Sequence, residues 1–269
     1  CASHSGTDAH VKVARALQAK THIQEAELLC GTHPVYHKPT GKALIERGEE
    51  LTPIRHNCSG KHSGMLAFAE WKEWSKTDYL DYNHPVQQLI LAAFSEMCDL
   101  PKEKVSLGID GCSAPNFAVP LYNAALAYAR LADPKDLSSQ RAAACRTITQ
   151  AMQAHPDMIG GPGRLDTKLM QVAQDRLVAK GGAEGYQGVG LLPGSLSPDT
   201  TGIGVAIKIS DGDPQSRARA GTIVEILHQL GFLSEDELTA LSDFGPTRPV
   251  NNWRKIEVGL ARPNFSLHR

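Results

Sequence analysis

The residues best suited to chemistry are gathered in five short stretches. Asn57-Cys58-Ser59-Gly60-Lys61-His62-Ser63-Gly64 combines a thiol, an amine, an imidazole and two hydroxyls. At a helix start its glycines would let backbone amides face an anionic ligand. A phosphate loop is excluded: the place of its first glycine holds Arg55, and Lys61 is followed by His62 instead of Ser or Thr. A thiolate site at Cys58, a substrate-binding loop and a polar helix cap all remain open. Asp110-Gly111-Cys112 is the second stretch. Cys58 and Cys112 could give Zn²⁺ two soft ligands from separate loops, although no C-x-x-C pair is present and buried cysteine is the commoner outcome. Cys30, Cys98 and Cys145 read as packing residues.

Lys180 precedes Gly181-Gly182, which would let a substrate approach a strand end; the competing reading is an exposed lysine before a turn. Arg164 closes the loop Gly160-Gly161-Pro162-Gly163, either gripping a carboxylate through its fork or decorating the surface. Cys1-Ala2-Ser3-His4-Ser5-Gly6, with His10 beyond it, reads as a nucleophilic or anion-binding loop or as an ordinary helix entry. Taken literally, Cys1 could be an N-terminal nucleophile with its own α-amine as base.

The elements that must hold these groups are legible in outline. Helices are expected over 7–20, 40–47, from about 60 to 71, and over 84–98 with Asn83 as cap and Val86, Leu89, Ile90 and Ala93 inward. A buried strand over 104–109 leads into the Asp110 loop, and Ala-rich helices follow over 120–131 and 139–154. Strands over 176–180, 186–192, 202–210 and 255–261 surround a helix over 217–230. Strands clustered beside helices point to an α+β fold with an antiparallel sheet.

Composition narrows the class. The 269 residues carry 28 Lys+Arg against 29 Asp+Glu, so no basic stripe exists to follow a phosphate backbone, and a nucleic-acid partner is not expected. No apolar run approaches the roughly 20 residues of a membrane span. Six cysteines are too few for a disulfide scaffold and read as cytosolic thiols.

In chain order the stretches CASHSG (1–6), NCSGKHSGML (57–66), DGC (110–112), HPDMIGGPGR (155–164) and LVAKGGAEG (177–185) resemble the type III, Rhizobium-type L-asparaginases, which are asparaginase II-like. The resemblance implies a β-lactamase/glutaminase-like α+β domain over 1–269, truncated at its N-terminal strands. It implies hydrolysis of L-asparagine to L-aspartate and ammonia by a Ser-Lys mechanism, with Ser3 and Lys180 as catalytic groups. Cys58, Lys61 and Cys112 match the family's zinc ligands, and His62, Asp110 and Arg164 match substrate-contacting positions. The family's second serine–lysine pair lies in a Ser-x-x-Lys stretch upstream of CASHSG, and no such stretch occurs within these residues. The expectation is a cytoplasmic homodimer acting on L-asparagine, incomplete, weakly active or inactive as it stands. The alternative is a non-catalytic, zinc-stabilised homologue that binds a small molecule. A lysine can take a serine's proton, or ligate zinc, only as the neutral amine, so Lys180 and Lys61 are both expected to have lowered pKa values.

Overall fold

The computed structural model describes residues 3–268, and these form two compact units. The first takes the described residues up to Pro120 together with Asp157–Pro162; the second takes Leu121–Pro156 and the chain from Gly163 onward. Cys1 lies outside the described residues.

The first unit is built from helices joined by single-turn 3₁₀ segments. Helix α1 (Asp8–Lys20) begins at the Thr7 cap, and α2 (Lys38–Glu46) starts two residues earlier than its sequence suggests. Helix α3 (Ser59–Trp71) follows Cys58 and packs against α1 and against α4 (Pro85–Cys98). The cap of α4 is His84, not Asn83: His84 Nδ1 accepts from the Val86 amide at 3.2 Å. Val86 is buried as expected, but Leu89 and Ile90 face outward, and Gln87, Leu91 and Cys98 complete the buried face of α4. Strand β1 (Ser106–Ile109) pairs antiparallel with β2 (Pro115–Ala118) in a tight hairpin. Contrary to expectation, β1 is exposed along its length; the hairpin meets α4 where the tilted rings of Phe94 and Phe117 have centroids 4.9 Å apart. An apolar core of Val11, Ala14, Ile54, Met65, Leu66, Ala69 and Tyr79 lies beneath these elements.

The second unit contains helices α5 (Leu121–Ala132), α6 (Ser139–Ala154) and α8 (Leu165–Ala173), with the one-turn α7 (Pro156–Ile159) falling across the division between the units. Its sheet has the order β3 (Leu177–Gly181), β4 (Tyr186–Leu191), β5 (Ile203–Lys208), all antiparallel. Gly190 faces Gly204 across the ladder and Gly188 faces Ala206, leaving one sheet face nearly without side chains. Helix α5 fills that space: a Cβ on Gly190 would lie 2.8 Å from the Tyr128 carbonyl. The other face presents Gln187, Val189 and Leu191, all fully buried, and α9 (Arg219–Gln229) contributes Ile223, Val224 and Leu227 to the core. Asp213 stops the turn before α9 by accepting from the amides of Arg217, Ala218 and Arg219 at 2.7–3.0 Å. The short α10 (Glu235–Ala240) precedes an exposed hairpin of β6 (Arg248–Asn251) and β7 (Glu257–Ala261). The architecture is α+β with antiparallel sheets, as expected.

Candidate active site and metal centre

Three of the five stretches meet in the first unit with the Gly160–Pro162 part of a fourth. The His4 amide donates to the Asn57 carbonyl at 3.0 Å, and His4 Nε2 lies 2.9 Å from Ser59 Oγ, which ties the Ser3 loop to the Cys58 loop. Ser5 Oγ donates to the Gly160 carbonyl at 2.7 Å. The adjoining Gly161 has φ +116, and a Cβ there would collide with Ser5, so the contact requires glycine. Ser3 itself is half-buried at φ +46, a left-handed conformation uncommon for a non-glycine residue.

The start of α3 explains the Cys58-x-x-Lys61-His62 spacing. One helical turn separates Cys58 from Lys61 and His62, so the three share a face. The opposite wall is the β1–β2 turn, where the Asp110 amide donates to the Ala114 carbonyl and the Ser113 amide to the Asp110 carbonyl, both at 2.8 Å. That turn presents Asp110 and Cys112. Lys61 Nζ donates to Asp110 Oδ2 at 3.0 Å, and Cys112 Sγ lies 3.5 Å from the same oxygen. Ligand atoms of Cys58, Asp110 and Cys112 all lie within 4.8 Å of one another. Both thiols are buried.

The charges are interdependent. Hydrogen bonding between the two thiols, with burial added, pushes Cys58 up, so it keeps its proton. The same bond, joined by His62 and Lys61, holds Cys112 far below the usual thiol range despite burial. Burial pulls Lys61 down, but Cys58, Cys112 and Asp110 outweigh it and leave Lys61 raised. Without a metal Lys61 is thus held as an ammonium beside Asp110, whereas the lowered value expected from the sequence belongs to the zinc-bound residue. Zn²⁺ fits this donor set, which offers two sulfurs with an amine and a carboxylate beside them. Loading would require Cys58 and Lys61 to release their protons.

His62 is fully buried, with Nδ1 2.6 Å from Tyr79 Oη. It belongs to a group of buried histidines with His4, His10 and His56. His4 and His10 stack with centroids 4.7 Å apart, and His56 Nδ1 accepts from the Cys58 amide at 2.9 Å. Burial, then repulsion from His10, lowers His4 to about 3, and burial, then His33, lowers His56 to about 4.

Lys180 and Arg164 belong to the second unit. Lys180 is half-buried near the end of β3, with Nζ donating to the Gly181 carbonyl, and so is not the exposed lysine of the competing reading. Arg164 is the half-buried N-cap residue of α8. Sequence reasoning missed Asp166, which is 3% exposed and accepts from the Gly181 amide at 2.7 Å and from Gln187 Nε2 at 2.9 Å. Arg219 Nη1 holds Gln187 Oε1 at 2.8 Å. A buried carboxylate thus fixes the backbone next to Lys180.

An α+β protein that gathers thiols, an amine and a carboxylate at a helix start has the equipment of a small-molecule enzyme. The chain belongs to the L-asparaginase II family, whose sequence model matches residues 1–263. No protein with a curated description matches it. Among the described residues no helix is long and apolar enough to cross a membrane.

Proposed function

We propose that the protein is an amidohydrolase that releases ammonia from L-asparagine. The family match over residues 1–263 carries this reading. In it, Ser3 Oγ attacks the side-chain amide carbon while Lys180, as the neutral amine, takes the hydroxyl proton. The proton passes to the departing ammonia, and water hydrolyses the resulting ester to aspartate and free serine. Cys58, Lys61 and Cys112 would hold Zn²⁺, whose positive charge would favour neutral amines nearby. With Lys61 neutral, Asp110 would lose its cationic partner and suit the ammonium of a free amino acid, with Arg164 serving the carboxylate; the fully buried His62 would act through the Cys112 sulfur instead of touching substrate. The fold is proposed to be β-lactamase/glutaminase-like, and the active form a homodimer in the cytoplasm. Among the described residues Cys30, Cys58, Cys98, Cys112 and Cys145 form no disulfide, which suits a reducing compartment.

The test is ammonia release from L-asparagine by the chain as given, and by a chain extended upstream with the family's Ser-x-x-Lys segment. Ser3→Ala and Lys180→Met should each lower kcat by roughly 1000-fold or more, because such groups act as a unit. Asparagine binding without ammonia release from either form would overturn the hydrolase reading in favour of a binding protein. Full activity in Ser3→Ala would remove Ser3 from the mechanism.

A further inference from the structure

Tyr79 has no exposed surface, so its one hydroxyl proton must go to a protein acceptor. Two groups reach the phenol oxygen: the Leu29 amide donates to it at 2.9 Å, and His62 Nδ1 lies 2.6 Å away. An amide nitrogen cannot accept, which leaves Nδ1 as the acceptor for the phenol. If Nδ1 carried the hydrogen instead, Tyr79 would receive two donors and its own proton would be stranded in the core. Burial pushes Tyr79 up to about 12, so that proton stays in place at neutral pH. A neutral imidazole that accepts at Nδ1 carries its hydrogen on Nε2. His62 Nε2 is buried without a partner of ordinary hydrogen-bond geometry among the described residues, and the ring neighbours the Cys112 sulfur.

We propose that Tyr79 is a positioning residue that locks His62 as the Nε2–H tautomer, so that the ring serves the Cys58–Cys112 centre as a hydrogen-bond donor to sulfur and not as a metal ligand. A metal-ligating histidine ordinarily donates its other N–H to a carboxylate, a carbonyl or water. Tyr79 presents the opposite polarity, because the Leu29 amide occupies its oxygen and only the hydroxyl hydrogen is left to offer. With hydrogen on Nε2, the ring has no lone pair on the side facing the thiols. The sequence motif Lys61-His62 therefore contributes one candidate metal ligand and one donor.

The proposal rests on the metal-centre reading for what His62 serves, and on these contacts alone for its tautomer. The experiment is ¹⁵N NMR of histidine-labelled protein, first metal-free and then with Zn²⁺ or Co²⁺ added. The expected His62 signals are an unprotonated, hydrogen-bonded Nδ1 and a protonated Nε2, retained after metal addition. Tyr79→Phe should convert His62 to a mixture of tautomers and should change the Co²⁺ absorption as an imidazole nitrogen joins the thiolates. A purely structural Tyr79 would leave the tautomer ratio where it was, and that result would overturn the positioning role. A protonated Nδ1 in the wild type, or a metal-bound Nε2, would overturn the proposal without recourse to any variant. Failure to take up either metal would count against the metal centre, and the metal-free spectrum would still decide the tautomer.

Discussion

The two units of the chain solve the burial problem in different ways. Of the fourteen buried polar residues described, ten lie in the first unit, including His4, His10, His56, His62 and His84. The second unit relies on regular layers, with the glycines of β4 and β5 under α5 and an aliphatic face under α9. A layered core follows from local rules, whereas a buried polar core persists only if every member finds a partner. Proteins break local rules mainly where function requires it, and that contrast directs the search for chemistry to the first unit.

The sharpest way to break the comparison is to load the layered unit with volume. A side chain at Gly204 would run into the Ala125 backbone carbonyl, which cannot rotate away. Gly204→Val is expected to cost about 3 kcal/mol or more, read as a fall in the second unit's melting temperature by calorimetry. A smaller loss is expected from Asp166→Ala, which strands the Gly181 amide and leaves Gln187 Nε2 only its longer bond to the Gly188 carbonyl at 3.3 Å. About 2 kcal/mol should be lost in urea denaturation, a cost in line with leaving one buried amide unpaired and weakening a second contact.

Acid should act mainly on the first unit. His4 takes up a proton near pH 6.5 when unfolded but only near about 3 when folded. Its contribution is therefore fully present above pH 6.5 and is lost progressively as the pH falls toward 3. By pH 5 His4 alone should cost about 2 kcal/mol. Hydrogen exchange at pH 7 and pH 5 should show protection lost first in α1 and α3; equal loss in both units would erase the proposed difference. The smallest effect has the opposite sign. Gly64 is an exposed residue inside α3 with nothing near the position of a Cβ. Gly64→Ala should stabilise the protein by about 0.5–1 kcal/mol in thermal unfolding, the ordinary helix-propensity gain. The same kind of change thus helps in one unit and harms in the other.

Legibility divides along the same line. The helices over α1, α3, α5 and α9 follow from apolar spacing and from flanking caps, and the β3–β4–β5 sheet follows from apolar runs between turn residues. Helix α4 was legible in its extent and in Val86, but Pro85–Cys98 is apolar around much of its circumference, so its periodicity could not place Leu89 and Ile90. Strand β1 was misjudged as buried because a short run such as Val105-Ser106-Leu107-Gly108-Ile109 does not record whether anything covers it. At the site, the first turn of α3 was readable from Cys58-x-x-Lys61-His62. Its meeting with Asp110 and Cys112 depends on a hairpin remote in sequence; the soft ligands Cys58 and Cys112 offer their pairing as one reading among others, and the family resemblance adds Lys61 and Asp110. Tyr79 and Asp166 carried no signal, because their roles exist only in the contacts they make across the fold.

The proposal that Cys58, Lys61 and Cys112 of the first unit hold a metal ion is tested most directly by metal content. Protein purified without chelators and dialysed against Zn²⁺ should retain zinc in elemental analysis and release protons as it loads. Cys58→Ser and Cys112→Ser should each abolish retention while leaving the second unit's melting temperature unchanged. A wild-type protein that takes up no zinc, or serine variants that retain as much as the wild type, would contradict the account.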